Sequence, residues 1–202
     1  MTPEFIIIGA GVVGLSSAFE LAKRGAKVAI LERGKTGMEA SWAGGGILFP
    51  LLPWDYPEEV TSLALAGAAL YPEWMKALHE SSGIDPEYAK CGMTVLPGIR
   101  SMENAASWCA SHGVRHFLDE TGKFVLPDVA QVRNPRLISS LRTELERLGV
   151  AIFEDCEVLS FEKDGRRIVG LKTETDFYSA GHYVVCAGAW SKKLLGGDGP
   201  DI

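Results

Sequence analysis

The chain has 202 residues, enough for one large domain or two small ones, and a chain of this size can bury about 70 % of its unfolded surface. Its composition, 47 % hydrophobic and 23 % charged, is average for a globular protein and excludes a disordered, collagen-like or disulfide-scaffold protein. The 20 Lys and Arg residues against 26 Asp and Glu give a net charge of −6 without a basic stretch, which argues against a nucleic-acid partner.

Neither membrane insertion nor secretion is expected. The apolar run from Leu63 to Leu70 is far shorter than the roughly 20 residues that span a bilayer. The N-terminal apolar run, Phe5 to Ile8, has no basic region before it and is too short for a signal peptide. The sequence therefore predicts a cytoplasmic protein without a membrane partner, whose four well-separated cysteines are free thiols.

The first predicted elements form a strand–helix–strand unit of about 30 residues. Residues 4–8 are a short apolar run typical of a central parallel strand. A helix follows, with Leu15 and Phe19 on its apolar face, and Gly25 is placed to end it. Lys27 to Leu31 form the second strand.

The next segments are a loop and a long helical region. Residues 33–53 are rich in Gly, Ser, Ala and Pro, which predicts a loop. Residues 57–80 have a helical pattern with Pro72 inside it, so we expect a kink or two helices near Tyr71.

Residues 84–133 do not repeat the opening unit, and we expect them to form a second layer inserted into the first domain. Within them, Met93 to Leu96 and Lys123 to Leu126 are predicted strands, and Met102 to Ser111 a short helix. Cys109, His112 and His116 have a spacing that could bind a metal, but Gly113 interrupts any helix that would align the two histidines, so no metal site is predicted.

The last third combines one helix with four strands. Asn134 and Pro135 are a typical helix start, and Gly149 is placed to stop that helix. Four strands are predicted after it, the middle pair joined by a turn at Asp164-Gly165: Val150 to Phe153, Glu157 to Lys163, Arg166 to Thr173 and Phe177 to Cys186.

A glycine motif between the first strand and the first helix predicts dinucleotide binding. Gly9, Gly11 and Gly14 match G-x-G-x-x-G, and Glu32 ends the second strand. The glycines permit a tight turn, close approach of the backbone to a pyrophosphate, and close packing of helix on strand. A carboxylate at Glu32 can accept both ribose hydroxyls and would repel a 2′-phosphate, which disfavours NADP.

Two further segments have composition that suits a large flat cofactor. Glu39 to Leu48 contains Gly44-Gly45-Gly46 and other small residues, which fits either backbone lying against an isoalloxazine ring or a flexible linker. His182 to Ser191 is an apolar strand ending in Ala187-Gly188-Ala189. Ligands collect beyond strand ends in open parallel sheets, so this segment is either a cofactor contact or simply a buried strand with its turn.

Four segments together resemble the D-amino-acid oxidase family of FAD enzymes. They are Gly9 to Gly14 with Glu32, Ser41 to Leu48, Asn134 to Leu137 and Val184 to Ser191. Within that family the chain looks most like the glycine oxidases, which are associated with thiamine biosynthesis. The resemblance implies an α/β fold of the glutathione-reductase and D-amino-acid-oxidase type. Its Rossmann-like FAD-binding domain would take residues 1–83 and 134–202, with part of an inserted α+β substrate domain in 84–133.

The resemblance also implies site residues, a reaction and partners. The reaction would be oxidation of a small amine or amino acid by FAD to an imine, with O2 reduced to hydrogen peroxide. No residue of the chain emerges as a catalytic acid or base. The cofactor-binding residues implied by the resemblance are Gly9, Gly11, Val12, Val13, Gly14, Glu32, Arg33, Ala40, Ser41, Trp42, Gly44, Gly45, Gly46, Ile47, Val158, Ala187, Gly188 and Trp190.

Members of this family are longer than this chain. The resemblance implies that a Tyr and an Arg which hold the substrate carboxylate lie outside it, so we expect this chain to be the cofactor-binding N-terminal portion. The remaining portion would belong to the same protein or to a second chain, and the activity to the complete assembly. Two other interpretations stay open: a non-catalytic FAD- or nucleotide-binding subunit or remnant, and an NAD-dependent dehydrogenase.

Overall fold

The computed structural model describes residues 2–96, 98 and 102–196 of the chain. The chain divides into two compact units. This division into units does not test the predicted domain boundaries, which remain predictions. The first unit contains Met1–Gly44, Ser81–Ile84 and Asn134–Ile202, and the second contains Gly45–Glu80 and Asp85–Arg133.

A four-stranded parallel sheet forms the centre of the first unit. Strand β1 (Phe5–Ile8) lies between β12 (His182–Val185) and β2 (Val28–Leu31). Strand β8 (Ala151–Phe153) pairs with the far side of β2. Ile6, Ile7 and Ile8 on β1 are almost fully buried, which confirms the predicted central strand.

Two long helices pack together in the first unit: α1 (Val12–Lys23) and α5 (Asn134–Arg147). Helix α1 connects β1 to β2, which are parallel, so the predicted strand–helix–strand unit is confirmed. Helix α5 buries Leu137, Leu141 and Leu145 along one face, as its sequence period predicts. These elements make a Rossmann-like α/β arrangement.

A separate three-stranded antiparallel sheet follows in the first unit: β9 (Ser160–Asp164), β10 (Arg167–Lys172) and β11 (Phe177–Tyr178). The predicted turn at Asp164-Gly165 joins β9 to β10 and is confirmed. The prediction of a single strand over Phe177 to Cys186 is wrong. The chain leaves this sheet after β11 and joins the parallel sheet at β12, because the two segments pair with different strands.

The rest of the first unit is short. The predicted loop over residues 33–53 contains one helical turn, α2 (Ala40–Ala43), which ends before the three glycines. A 3-10 turn, Gly188–Trp190, and helix α6 (Ser191–Leu194) follow β12.

The longest helix, α3 (Glu58–Ser82), lies in the second unit except for its last two residues. This helix is continuous through Pro72, so the alternative of two helices is wrong. Proline costs one backbone hydrogen bond there, and Met75 and Leu78 beyond it are buried, which holds the following turns in place. The predicted helix at Met102 to Ser111 is a 3-10 turn, Met102–Asn104, followed by α4 (Ala105–Ser111).

Short antiparallel strands complete the second unit. They are β3 (Ala89–Lys90), β4 (Met93–Val95), β5 (Phe117–Leu118), β6 (Phe124–Leu126) and β7 (Ala130–Gln131). Three of them form a sheet with the order β4-β6-β5, and β3 pairs with β7.

Across the described residues, no helix combines the length and the apolar character that a bilayer span requires.

Candidate functional site

The turn between β1 and α1 has no room for side chains at two of its glycines. Gly9 has a φ of +105°, and its N–H donates to the Leu31 carbonyl at 2.8 Å. A Cβ at Gly9 would lie 2.4 Å from the carbonyl oxygen of Cys186, and one at Gly14 would lie 1.9 Å from the carbonyl oxygen of Gly9. The turn is therefore held closely against the strands on both sides of β1.

The N-terminus of α1 has the features of an anion site. Gly11 is the N-cap and has no side-chain cap, and no acidic residue lies in the first turn. The Val12 N–H donates to Oγ of Ser41 at 2.9 Å. Because that oxygen accepts a hydrogen bond, the hydroxyl hydrogen of Ser41 can be donated to an anion, beside the positive end of the helix dipole.

Glu32 holds a buried carboxylate next to this turn. The residue is 8 % exposed, and it follows the last residue of β2. Its Oε2 accepts the Ala10 N–H at 2.7 Å, and its Oε1 accepts the Gly34 N–H at 2.9 Å. Each oxygen keeps a further acceptor position, so the carboxylate can bind two hydroxyl groups while its orientation is fixed by the backbone.

Arg33 and Trp190 form a stacked pair. The Arg33 guanidinium carbon lies 3.7 Å from the centre of the Trp190 ring. Arg33 also donates from Nε to Oε1 of Glu39 at 3.0 Å. Since Trp190 remains 41 % exposed, the pair presents a flat, positively charged surface on which an aromatic ring can stack.

The side chain of Asn134 bonds to α2 and to the residue that follows it. The Asn134 Nδ2 donates to the carbonyl oxygens of Ser41, at 2.9 Å, and Gly44, at 3.0 Å. A Cβ at Gly44 would lie 2.6 Å from Nδ2, so the amide fills the space that a side chain would need. The sequence predicted that Asn134 starts α5 and placed Asn134 to Leu137 among the segments of the family resemblance. No local signal indicates that its side chain reaches a segment about 90 residues earlier.

Some predicted site residues are highly exposed and others are not. Val13 is 64 % exposed and Trp42 is 52 % exposed, so both side chains have surface that a ligand could contact. Val158 has the opposite environment: it is 8 % exposed and belongs to a core cluster with Ile8 and Leu31, so a ligand could contact only its backbone.

Contacts within the first unit bring seven of the eighteen predicted residues together at the β1–α1 turn. The Cα of Ala187 lies 3.3 Å from the position of a Cβ at Gly9, which brings the end of β12 to this turn. Gly188 has a φ of +53° and begins the 3-10 turn that carries Trp190. The residues joined by contacts around the turn are Gly9, Gly11, Val12, Gly14, Glu32, Ser41 and Ala187.

Three of the predicted residues lie in the second unit, where they extend a strand-like segment. The Gly46 carbonyl accepts the Val132 N–H at 2.9 Å, and Ile47 forms an antiparallel bridge with Gln131. Gly45 precedes them, and a Cβ there would meet nothing within 4 Å. Two open cavities of this unit, of about 570 and 610 Å³, are lined by described residues between Val95 and Pro127, and none of these is a predicted site residue.

Titratable groups near the turn are few. Burial raises the pKa of the Cys186 thiol, which keeps it protonated and unreactive at neutral pH. Among the residues that the structure describes, no cluster of three or more His, Cys, Asp or Glu side chains is placed to hold a metal ion. The arrangement suits binding of a dinucleotide better than proton transfer by the protein.

Comparison with known proteins agrees with this geometry. The family model described as DAO, FAD dependent oxidoreductase, matches residues 4–202. The glycine oxidase of Pseudomonas aeruginosa is 36 % identical over 211 residues, covering 96 % of this chain and 58 % of that protein. The bifunctional protein ThiO/ThiG of Trichormus variabilis is 33 % identical over 211 residues, covering 96 % of this chain and 32 % of that protein.

A solved structure extends the comparison to the fold. The crystal structure of glycine oxidase from Bacillus cereus superposes with a TM-score of 0.85 at 27 % identity, over 96 % of this chain and 58 % of that one. The predicted fold class is confirmed. The chain spans 56 to 58 % of the length of the glycine oxidases that it matches.

Proposed function

The chain belongs to the family of FAD-dependent oxidoreductases, and from that premise we propose that it is the cofactor-binding part of an oxidase for a small amine or amino acid. FAD is its cofactor. The observation that carries the proposal is the anion site at the start of α1, where Gly11, Val12 and Ser41 meet beside the buried carboxylate of Glu32.

The residues around the β1–α1 turn fit the adenosine diphosphate half of FAD. Gly9, Gly11 and Gly14 leave the backbone bare, and the N-terminus of α1 provides N–H groups for the pyrophosphate. The Ser41 hydroxyl donates to a phosphate oxygen, and Glu32 accepts the two ribose hydroxyls.

The adenine and flavin rings are assigned to flatter surfaces. The stacked Arg33 and Trp190 side chains border the adenine. Small residues leave room for the flavin near α2, and the exposed ring of Trp42 gains a partner when the cofactor binds. The remaining residues assigned to the cofactor are Val12, Val13, Ala40, Gly44, Gly45, Gly46, Ile47, the Val158 backbone, Ala187 and Gly188.

When bound, FAD would supply the redox chemistry that oxidises a small amine or amino acid to an imine and reduces O2 to hydrogen peroxide. Water would then hydrolyse the imine to an oxo acid and ammonia or an amine. The role of this chain is to hold and orient the cofactor.

Glycine or a similar small amine is the proposed substrate, because proteins similar to this chain in sequence and in structure are glycine oxidases. The groups that bind the substrate carboxylate are assigned to residues outside this chain, in the same protein or in a second one. The relative named bifunctional protein ThiO/ThiG supports a role in thiamine biosynthesis. Four free cysteines suit a reducing compartment, so the cytoplasm is the proposed location.

A thermal-shift experiment distinguishes FAD from FMN and NADH as the ligand of this chain. FAD should raise the melting temperature of the chain, and FMN, which lacks the adenylate half, should raise it less. Substitution Glu32→Gln should weaken the FAD effect, whereas Glu174→Gln, on an exposed carboxylate, should not. Stabilisation by NADH but not by FAD would favour a dehydrogenase and overturn the proposal.

Peroxide production tests the reaction in the complete protein. The FAD-loaded protein should form hydrogen peroxide from glycine or sarcosine. Flavin uptake without turnover of any small amine would instead identify a non-catalytic FAD-binding subunit.

A further inference from the structure

Asn134 joins the start of α5 to a segment that the sequence places far away. Its side-chain nitrogen donates to the carbonyl oxygens of both Ser41 and Gly44, at 2.9 and 3.0 Å. Both partners are acceptors, so only the amide nitrogen, and not the amide oxygen, can face them. The two hydrogen bonds hold the carbonyls at both ends of the Ser41–Gly44 segment on one rigid group.

The contact continues from Ser41 to the start of α1. Oγ of Ser41 accepts the Val12 N–H at 2.9 Å, and a Cβ at Gly11 would lie only 3.0 Å from that oxygen. The position of the Ser41 hydroxyl relative to the glycine turn is therefore set by its own backbone, which Asn134 holds. Gly44 fits the same arrangement, because a Cβ there would lie 2.6 Å from the Asn134 Nδ2.

We propose that Asn134 is a positioning residue for FAD: by holding the Ser41–Gly44 segment, it fixes the Ser41 hydroxyl at the phosphate-binding N-terminus of α1. This rests on the proposed function in that it takes FAD as the ligand. Asn134 acts through Ser41 and makes no contact with the reacting atoms. Because the Ser41–Gly44 segment is already ordered before FAD binds, binding loses less conformational entropy, and the affinity for FAD is higher.

Asn134 also begins helix α5, so a capping role must be separated from the positioning role. Serine is as good a residue as asparagine at a helix N-terminus, but it has no amide to bridge two carbonyls. Asn134→Ser therefore removes the bridge while it keeps a residue that is suited to a helix start. Asn134→Asp keeps the shape, replaces the donor by an acceptor, and sets a carboxylate against two carbonyl oxygens.

The first test measures FAD affinity by fluorescence titration, together with the melting temperature of the FAD-free chain. Asn134→Ser should weaken FAD binding by roughly 10-fold, and Asn134→Asp by more, with little change in melting temperature for the serine variant. Ser139→Ala, which removes an exposed hydroxyl bonded to the Pro135 carbonyl on the same helix, is the matched control and should leave affinity unchanged. Unchanged FAD affinity in Asn134→Ser would overturn the proposal.

A double substitution tests whether Gly44 and Asn134 act together. The Gly44 backbone has a φ of −63° and a ψ of 148°, which alanine also adopts, so the strain in Gly44→Ala arises from contact with the Asn134 side chain. Gly44→Ala should therefore weaken FAD binding in the wild-type background and have a clearly smaller effect in the Asn134→Ser background. Fully additive effects would contradict a shared role.

Hydrogen exchange makes the test independent of FAD. In the FAD-free chain, Asn134→Ser should speed exchange of the Val12 amide and leave the amides of Leu141 and Leu145, inside α5, unchanged. Unaltered exchange at Val12 would overturn the positioning role even if FAD binds. If the wild-type chain takes up no FAD, the proposed function fails for this chain, while the exchange of Val12 still decides whether Asn134 positions Ser41.

Discussion

The hydroxyl oxygen of Ser41 accepts the backbone N–H of Val12 at 2.9 Å, linking α2 to the first turn of α1 across 29 residues. This bond satisfies one of the backbone N–H groups that every helix start leaves unpaired. It also leaves the hydroxyl hydrogen free to be donated to an anion. One side chain thereby completes both the helix and the proposed phosphate site.

Removing that hydroxyl should weaken FAD binding. In Ser41→Ala the Val12 N–H loses its partner and a phosphate loses a donor, so we expect the dissociation constant for FAD to rise roughly 10-fold and the free energy of unfolding to fall by about 1 kcal/mol. Fluorescence titration and urea unfolding measure the two effects. Ser62→Ala, at an exposed hydroxyl bonded to Glu58, should change neither. Equal FAD affinities in Ser41→Ala and wild type would contradict the assigned role of Ser41.

The first glycine of the turn should tolerate no side chain. Gly9→Ala sets a Cβ 2.4 Å from the Cys186 carbonyl oxygen at a φ of +105°, so we expect the free energy of unfolding to fall by about 3 kcal/mol or more. Gly25→Ala is the matched control, because Gly25 also has a positive φ but nothing lies within 4 Å of its Cβ position. It should cost only about 1 kcal/mol. If the free energy of unfolding falls by a similar amount in the two variants, a clash between a Cβ at position 9 and the Cys186 carbonyl would be contradicted.

Acid stability should depend on Glu154, which follows β8. Hydrogen bonding by the Thr36 N–H, at 2.9 Å, together with Arg142 and Lys35 lowers the pKa of Glu154 to about 2. Because the folded-state pKa lies below the unfolded value, this carboxylate adds stability above the unfolded pKa of 4.5, and that stability is lost as pH falls toward 2.

The substitution Glu154→Gln isolates that contribution. The variant should unfold at lower urea concentration than wild type at pH 7, and the difference should shrink steadily between pH 4.5 and pH 2. Glu157→Gln, on a carboxylate nearby in the chain, is the control. A difference between Glu154→Gln and wild type that stays constant down to pH 3 would contradict the lowered pKa.

The second unit contains a histidine with the opposite shift. The Trp108 carbonyl at 2.8 Å from Nδ1 and the Glu58 carboxylate at 3.1 Å from Nε2 raise the pKa of His112 above its usual 6.5. A raised folded-state pKa stabilises the protein fully below pH 6.5, and this stability is lost as pH rises through the raised value. An NMR titration should place the pKa above 6.5, and lower in Glu58→Gln. An identical titration in both proteins would show that Glu58 plays no part.

The sequence predicted the opening of the fold well because its signals are local. The strand at residues 5–8, the glycine turn and Glu32 lie within about 30 residues, and each obeys backbone and packing rules that depend on neighbours along the chain. The family resemblance then extended the cofactor site to segments such as Gly44–Ile47, whose role in binding stays a prediction.

Other features depend on partners that a sequence pattern does not name. The apolar run at 177–186 looks like one strand, but its two halves pair with β10 and with β1, and only the sheet topology divides it. The helix through Pro72 continues because tertiary burial of Met75 outweighs a local proline effect. The hydrogen bonds of Asn134 join residues about 90 positions apart, and nothing in either segment signals the other.

The visible absorption spectrum of the chain purified after incubation with FAD, followed by chromatography of the released cofactor, measures whether this chain binds FAD. We expect a two-band flavin spectrum, intact FAD on denaturation, and clearly less bound flavin in Glu32→Gln than in Glu174→Gln. A colourless chain that takes up no FAD at any concentration tested would contradict the assignment of the glycine turn, Ser41 and Glu32 to this cofactor.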